Sequence, residues 1–183
     1  MKKILALIGL AGSGKTTLAK LLAPVGYQRV RFAEPIKQML TTLLINQGVS
    51  INDAIEMLDG VLKEIPTRYF NGRTPRHAMQ TLGSEWRDLI DRNLWTDIWE
   101  RQIQANPNLA FVVDDMRFHH EAERVRKLGG KIVRINRPMR QVMPEHVSEV
   151  EHLHILADFT ITNDRDPSYM LDQLNYFLSE DVP

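Results

Sequence analysis

Residues 9–17 read GLAGSGKTT and follow the apolar run KILALI, residues 3–8. Their order fits the motif G-x-x-x-x-G-K-[ST], in which the backbone of a glycine-rich loop binds phosphate groups. Gly12 and Gly14 let the chain curl so that its N–H groups point inward, and the following helix presents its positive dipole end to an anion. The stretch therefore predicts a phosphate-binding loop between a strand and a helix.

Two side chains of this loop have a predicted chemical role. Lys15 would reach the β- and γ-phosphates of a nucleotide, and Thr16 would place its hydroxyl on Mg²⁺. An ordinary glycine turn would explain one glycine, but not a Lys-Thr pair at this offset. The residues predicted to bind the nucleotide are Gly9, Ala11, Gly12, Ser13, Gly14, Lys15, Thr16 and Thr17.

The amino-terminal stretch MKKILALIGLAGS, residues 1–13, has a second interpretation. Two lysines, a short apolar run and small residues also occur in secretory signal peptides. We favour the phosphate loop because Lys15 follows directly, and because TTLAKLLA, residues 16–23, continues as an amphipathic helix.

The composition limits the classes of function. The chain has 183 residues, and its 23 Lys plus Arg balance 23 Asp plus Glu, so the formal net charge is zero. An anion site must therefore be local, and we expect no nucleic acid polymer as partner. The chain has no cysteine, which excludes disulfides and thiolate metal sites and favours a cytoplasmic setting. No apolar run reaches the length of a membrane span, so we expect no membrane partner.

Apolar runs and amphipathic stretches alternate along the chain, which predicts right-handed βαβ units and a doubly wound parallel sheet. The predicted strands are residues 3–8, 27–32, 109–115, 131–136 and 159–163. The predicted helices are residues 16–23, 34–48, 50–60, 75–90, 94–105, 120–130 and 168–179. Ligands of such sheets bind at the carboxyl ends of the strands, so polar residues there are candidates for a site.

The middle of the chain contains a long stretch without a clear pattern. Residues 61–75, VLKEIPTRYFNGRTP, are predicted to be irregular, and a loop of this length usually has a function. Thr74 and Pro75 then mark a helix start. This helix places Arg76 and Gln80 on one face. Arg suits a monophosphate and Gln suits a base edge, although surface helices often carry the same pair.

Polar residues follow the predicted third strand in DDMRFHHE, residues 114–121. Asp114 or Asp115 could hold the water shell of Mg²⁺, and Arg117 could pair with a phosphate through its planar fork. A strand-end turn that caps the next helix would show the same aspartates. Beside a phosphate loop on the same sheet, we favour the metal-binding interpretation.

A basic segment follows the predicted fourth strand. Residues 136–146, NRPMRQVMPEH, carry Arg137 and Arg140 together with two prolines. These arginines could close over phosphates and neutralise charge as a phosphoryl group moves, or they could belong to a solvated basic loop. The adjacent His119 and His120 point to different faces of a helix, and we predict no zinc site.

Several blocks, in the same order, resemble the deoxynucleoside monophosphate kinases of tailed bacteriophages, a branch of the P-loop nucleoside monophosphate kinases. The loop block GLAGSGKTT indicates only a P-loop protein. The specific blocks are RHAMQTLGSEW at 76–86 and VVDDMRFHHEAERVRKLGGKIVRINRP at 112–138. The other matching blocks are FAEPIKQML at 32–40, LW at 94–95, HVSE at 146–149 and ITND at 161–164.

The resemblance implies transfer of the ATP γ-phosphoryl group to a deoxynucleoside 5′-monophosphate, with ATP and Mg²⁺ as cofactors. It places the metal at Thr16 and Asp115, and Asn163 near the adenine. The catalytic residues that it implies are Lys15, Asp115, Arg117 and Arg137. The residues that it implies for binding the nucleotide substrate are Phe32, Lys37, Arg76, Gln80, Arg140, His146 and Glu149.

The resemblance also implies the architecture, an α/β P-loop NTPase-type three-layer fold with a five-stranded parallel sheet flanked by helices. Residues 1–183 would then form a single kinase domain. The predicted core comprises about 1–34, 107–136 and 157–183, the predicted helical acceptor-binding insertion about 35–106, and the predicted short lid about 137–152. The resemblance leaves open whether the protein forms a homodimer.

Two other functions fit the same residues. Another small-molecule P-loop kinase, acting for example on dephospho-coenzyme A or phosphomevalonate, would share the strand, the loop and the lid. A nucleotide-gated binding module would need the P-loop alone. The two basic, irregular segments favour an enzyme, because they suit closure over a second small substrate better than docking of a protein.

Overall fold

The computed structural model describes residues 4–138 and 151–180. These residues form the strands β1 Ile4–Ile8, β2 Tyr27–Arg29, β3 Ala110–Val113, β4 Lys131–Asn136 and β5 Phe159–Thr162. They form the helices α1 Lys15–Leu22, α2 Glu34–Asn46, α3 Ile51–Asp59, α4 Pro75–Leu89, α5 Leu94–Ala105, α6 His119–Lys127 and α7 Pro167–Glu180. No helix in the described ranges is both long and apolar enough to cross a membrane.

The chain divides into two compact units. The core unit comprises the described parts of Met1–Arg31 and Trp99–Pro183. The helical unit comprises Phe32–Ile98. Helix α5 therefore begins in the helical unit and ends in the core unit, whereas all five strands belong to the core unit.

The core unit is built on one parallel sheet with the strand order β2-β3-β1-β4-β5. In the central strand β1, Ala6 pairs with Val113 of β3 on one side and with Ile132 of β4 on the other. All five residues of β1 are buried, as expected for a strand with helices on both faces. The predicted five-stranded parallel sheet is confirmed. Because the strands run in the same direction, the loops that follow them meet at one edge.

Helices α1 and α7 pack on this sheet through a shared apolar cluster. Leu18 and Leu22 of α1 are fully buried in it, as is Leu174 of α7. The sheet contributes Leu7 and Val133. Burying a side chain of this size stabilises the fold by roughly 1.5–3 kcal/mol. The chain on both sides of the predicted phosphate loop is therefore anchored.

Strand β2 is shorter than the predicted strand 27–32. It pairs with β3 from Tyr27 to Arg29, and the backbone N–H of Val30 still donates to the carbonyl of Val112 at 3.0 Å. The chain passes into the helical unit at Phe32. The polar residue that closes the paired part of β2 is therefore Arg29, at the same edge as the loops.

The helical unit has an apolar cluster of its own. Leu40 and Leu44 of α2 are buried with Leu58 of α3. Trp95 joins the cluster, and its Nε1 donates to the carbonyl of Gly83 on α4 at 2.8 Å. This bond satisfies the indole N–H of a side chain that is otherwise apolar.

Caps fix the ends of the helices in this unit as predicted. The Ser50 hydroxyl accepts from the backbone N–H of Asp53 at 3.1 Å and begins α3. The Thr74 hydroxyl accepts from His77 at 3.0 Å, and Pro75 opens α4. Gly60 ends α3. A Cβ atom at this position would lie 2.1 Å from Oε1 of Glu56 and would overlap it.

Residues 61–75 are more regular than predicted. They contain two 3-10 turns, Val61–Glu64 and Arg68–Phe70, and an antiparallel bridge between Thr67 and Arg73. The bridge closes over Asn71 and Gly72, which both have positive φ. An Asn-Gly pair is a local signal for this kind of tight turn, so part of this order could be read from the sequence.

Candidate active site

The loop between β1 and α1 depends on two glycines. Gly9 has a φ of 145° and Gly14 a φ of 112°, in the region that favours glycine. A Cβ on Gly9 would lie 2.4 Å from the carbonyl oxygen of Ile135, and a Cβ on Gly14 would lie 2.5 Å from Asn163 Nδ2. A larger residue at either position would displace β4 or Asn163, so the glycines allow close packing under the loop.

The loop presents unfilled hydrogen-bond donors. Gly14 is the N-cap of α1, and no side chain of the described residues caps the first turn of this helix. The positive end of the dipole of α1 therefore lies at the loop, where it favours an anion. The Ser13 side chain is buried, and its hydroxyl has no hydrogen-bond partner among the described residues. A phosphate group at the loop would satisfy these donors.

Lys15 is held over its own loop. Its ammonium group donates to the carbonyl oxygen of Gly9 at 2.6 Å and to that of Leu10 at 2.9 Å. Both of these acceptors are uncharged carbonyl oxygens. The position of Lys15 is consistent with its predicted contact to the nucleotide phosphates.

Thr16 contacts a carboxylate that comes from the end of β3. Its Oγ1 donates to Asp114 Oδ2 at 2.8 Å. Arg29, from the end of β2, donates to the same carboxylate through Nε to Oδ1 at 2.8 Å and through Nη2 to Oδ2 at 2.6 Å. The side chain of Asp114 is only 1 % exposed, so this ion pair is largely shielded from solvent.

The Thr16–Asp114 pair fits Mg²⁺. A hydroxyl and a carboxylate are the hard oxygen ligands that this ion prefers, and Mg²⁺ is usually held by one or two carboxylates together with substrate phosphates. In the described residues no group of three or more His, Cys, Asp or Glu side chains could hold a metal ion. A site that uses a single carboxylate and phosphate oxygens agrees with this finding.

Two other strand ends reach the loop. Asn163, after β5, donates from Nδ2 to the carbonyl of Ser13 at 2.7 Å. Arg137, after β4, donates from Nη1 to the carbonyl of Gly12 at 3.2 Å. A cavity of about 490 Å³ opens here, within the usual range of ligand sites. Its lining includes Gly12, Gly14, Lys15, Thr16, Arg137 and Asn163.

A buried carboxyl group shapes the turn between β3 and α6. Glu121 Oε2 accepts from the backbone N–H of Arg117 at 2.7 Å and from that of Phe118 at 3.0 Å. Burial raises the pKa of Glu121 to about 8; the negative charge of Asp115 also raises it, while the two backbone N–H donors lower it. Glu121 therefore holds the backbone of the turn that carries Asp115 and Arg117.

The sequence profile of the deoxynucleotide monophosphate kinase family matches residues 58–174, more than half of the chain. The chain belongs to this family. A mimivirus protein, "Putative deoxynucleotide monophosphate kinase" of Acanthamoeba polyphaga mimivirus, is 32% identical over 176 residues, covering 88% of this chain and 89% of that protein. This member of the family is an ATP-dependent phosphotransferase.

Solved structures of kinases share the fold. Shikimate kinase from Aquifex aeolicus has a TM-score of 0.52 and 16% identity, and the match covers 97% of each chain. A sugar kinase from a Janibacter species has a TM-score of 0.50 and 14% identity, over 98% of this chain and 95% of that one. At these identities the likeness concerns the fold alone, and it confirms the predicted P-loop architecture.

In this kinase the metal-binding role of Asp115 stays a prediction, beside the alternative Asp114. The carboxylate in contact with Thr16 is that of Asp114, and the chain bends at Asp114 before Asp115. The geometry favours Asp114 for the metal and leaves Asp115 beside Arg117 in the turn held by Glu121.

The predicted substrate-binding residues of the helical unit divide into two groups. Two of them are cations in ion pairs, Lys37 with Asp59 and Arg76 with Glu64. The other two lack charge. Gln80 lies on α4 one turn beyond Arg76 and is half-buried, and Phe32 is 3 % exposed. A phosphate that binds either cation would have to compete with a carboxylate.

Three further predicted residues lie outside the described residues: Arg140, His146 and Glu149.

Two residues of the site were not predicted. Arg29 lies at the end of β2, but the sequence predicts a longer strand that contains it. Glu121 lies in the first turn of α6 and three residues after the N-cap, a position where Glu commonly bonds back to the backbone. The signal for Glu121 is local and present in the sequence, whereas Arg29 becomes a candidate only once the end of β2 and its pairing with β3 are known.

Proposed function

We propose that this kinase transfers the γ-phosphoryl group of ATP to a deoxynucleoside 5′-monophosphate. The bond between the γ-phosphorus and the bridging oxygen of the ADP group breaks, and a bond to an oxygen of the acceptor phosphate forms. The products are ADP and a deoxynucleoside diphosphate. The observation that carries the proposal is the family match over 58–174, because it contains Arg76, Gln80 and Asp114 to Arg117. The phosphate loop lies outside that match and supports the use of ATP independently.

The loop residues would bind and orient the triphosphate. The N–H groups at the start of α1 and the Ser13 hydroxyl would donate to phosphate oxygens. Lys15 would leave the carbonyls of Gly9 and Leu10 for the β- and γ-phosphates, where a charge-assisted bond is stronger than a bond to a neutral carbonyl. Asn163 would keep the loop in place through the carbonyl of Ser13.

Thr16 and Asp114 would hold Mg²⁺ on the nucleotide. When bound, this ion supplies positive charge to the phosphate oxygens. Arg117 and Arg137 would add positive charge around the transferred group, and Arg137 already contacts the loop through Gly12. Phosphoryl transfer depends mainly on alignment and on compensation of negative charge. We assign no general base.

The acceptor phosphate would bind to basic side chains of the helical unit. Arg76 suits a phosphate dianion because its planar fork can donate two parallel hydrogen bonds. Gln80, one turn further along the same helix, would read a base edge with its amide group. Lys37 would add a second positive charge after release from Asp59.

A coupled assay for ADP release tests the proposal. Purified protein with ATP and Mg²⁺ is offered deoxynucleoside and ribonucleoside monophosphates, dephospho-coenzyme A and phosphomevalonate, and the products are identified by chromatography. The K15A variant, purified in the same way, is the blank for contaminating kinases. ADP release that depends on a deoxynucleoside monophosphate, with the matching diphosphate as product, is the expected result.

Other outcomes of the assay contradict the proposal. Turnover with dephospho-coenzyme A or phosphomevalonate alone would assign the protein to another class of small-molecule kinase. Slow ATP hydrolysis that no acceptor changes would favour an ATP-gated binding module. Preference for ribonucleotides would keep the kinase activity and overturn the deoxynucleotide part of the proposal.

A further inference from the structure

Arg29 makes a two-point contact with the carboxylate of Asp114. The strands β2 and β3 pair in parallel with Arg29 opposite Val112, so Asp114 lies two residues beyond that pair at the same edge. Arg29 Nε donates to Oδ1 at 2.8 Å and Nη2 donates to Oδ2 at 2.6 Å. This fork geometry gives the strongest type of ion pair with a carboxylate.

The contact involves both oxygens that a metal ion would use. Oδ1 accepts from Arg29, and Oδ2 accepts from both Arg29 and Thr16. Asp114 is 1 % exposed, while the Arg29 side chain is 34 % exposed. The carboxylate is therefore held and shielded from solvent, whereas the Arg29 side chain is partly exposed. A divalent cation that approaches Thr16 meets a carboxylate whose charge is already compensated.

We propose that Arg29 is a positioning residue that holds Asp114 and competes with the divalent metal ion for its carboxylate, and so lowers the metal affinity of the Thr16–Asp114 site. The inference rests on the proposed function only in taking this pair as the metal site. In the protein alone the competition keeps the metal bound weakly. Phosphate oxygens of the nucleotide supply the additional ligands that favour the metal, so metal and nucleotide bind together.

Arg29 has a structural role as well as a competing one, and a test has to separate the two. Without a partner, a buried carboxylate is strongly destabilising, so removal of Arg29 lowers stability in either case. Only the competition predicts that the same removal increases affinity for a cation. The measurement is therefore metal binding, and thermal unfolding serves as a check on folding.

The probe is Mn²⁺, which prefers the same oxygen ligands as Mg²⁺ and is detected when free by electron paramagnetic resonance. Wild type, R29Q and R29K are titrated with Mn²⁺, alone and with saturating ADP. R29Q removes the charge and keeps one amide donor, and R29K keeps the charge without the fork. R101Q is the matched control, because it removes one positive charge from an exposed position on α5 of the core unit.

The expected result is that R29Q binds Mn²⁺ about tenfold more tightly than wild type without nucleotide, since a positive charge in contact with the carboxylate is gone. With saturating ADP, the gain of R29Q in Mn²⁺ affinity should be smaller, because phosphate oxygens then supply part of the coordination of the ion. R29K should lie between wild type and R29Q, and R101Q should match wild type within about twofold, as expected for an exposed and screened charge.

A double mutant shows whether the effect passes through Asp114. In the D114N background, the substitution R29Q should no longer change the Mn²⁺ affinity. An unchanged or weaker affinity in folded R29Q overturns the inference, and so does an equal gain in the D114N background. If R29Q does not fold, R29A decides by the same comparison, because it removes the charge and leaves room for water beside Asp114.

The outcome is independent of the acceptor assay. Mn²⁺ binding requires neither an acceptor nor turnover, so a protein without deoxynucleotide kinase activity could still show the competition. A protein with that activity could still fail to show it.

Discussion

The ammonium group of Lys15 donates a 2.6 Å hydrogen bond to the carbonyl of Gly9, the first residue of the loop that Lys15 closes. We expect the substitution K15A to lower kcat/KM by about a thousandfold, roughly 4 kcal/mol, because a charge that compensates the moving phosphoryl group is lost. The melting temperature should change little, since the hydrophobic core of the unit is untouched. Steady-state kinetics and thermal unfolding measure both effects. K20A, an exposed lysine on the same helix, is the control, and near-normal turnover of K15A would show that Lys15 has another role.

The two aspartates after β3 should differ in their effect on Mg²⁺. We expect D114N to raise the Mg²⁺ concentration for half-maximal activity by about tenfold or more, because the contact with Thr16 depends on its carboxylate. D115N should leave this concentration unchanged, whatever its effect on kcat. The measurement is a Mg²⁺ titration of activity at fixed ATP. A shift for D115N but not for D114N would assign the metal to Asp115.

The ionisation of Glu121 should make the free energy of unfolding depend on pH. Its pKa is about 8 in the folded chain against 4.5 for an ordinary glutamate, mainly because of burial. Its stabilising contribution is therefore fully present below pH 4.5 and is lost as the pH rises through about 8. Relative to E121Q, which cannot ionise, wild type should lose up to about 1.4 kcal/mol per pH unit between these values. Urea unfolding of both proteins from pH 5 to 8 measures the difference.

The exposed Glu123 on the same helix provides the control for this titration. The difference in the free energy of unfolding between wild type and E123Q should change little with pH. A difference between wild type and E121Q that is also flat would show that Glu121 ionises with an ordinary pKa.

The bond from Asn163 to Ser13 should matter for ATP and not for the acceptor. We expect N163A to raise the KM of ATP by about tenfold, because the loop loses a partly buried hydrogen bond and the Asn163 side chain no longer lies beside Gly14. The KM of the acceptor should change by less than about twofold. N106A, which removes an exposed helix-end bond to Gln102, is the matched control. A selective change in the acceptor KM would place Asn163 in the other substrate site.

The ion pair between Arg76 and Glu64 should control acceptor binding. We expect R76A to raise the KM of the deoxynucleotide by about tenfold or more, since a charge-assisted contact is lost. E64Q should lower the same KM by about two- to threefold, because the side chain of Glu64 is 54 % exposed and such a pair is weak. E85Q, an exposed glutamate on α4, is the control. Equal changes in the KM of ATP would exclude a specific role of this pair.

The sheet could be predicted because its central strands β1, β3 and β4 are short, mainly apolar runs between turn or helix signals. Residues 131–136 and 94–105 form a strand and a helix with the predicted bounds. The choice between Asp114 and Asp115 could not be made in the same way. Residues 111–113 of β3 are all buried, so the run carries no alternation that would show which face the next side chain joins.

The ion pair of Arg29 depends on a different kind of information. It requires that β2 and β3 be neighbours in a known register, and these strands are separated by the whole helical unit in sequence. Helix caps such as Thr74 and Ser50 are local and were predicted, whereas side-chain contacts between distant strands become visible only once the strand order is known.

The strand order β2-β3-β1-β4-β5 also has a consequence for biosynthesis. The phosphate loop follows the first strand and leaves the ribosome early, but β1 lies between β3 and β4 and cannot be buried until both have been made. The anchor of the loop, Asn163, comes later still, after β5. Nascent chains therefore carry the complete nucleotide-binding motif long before they can bind nucleotide tightly, and ATP can stabilise this protein only near the end of its folding during translation.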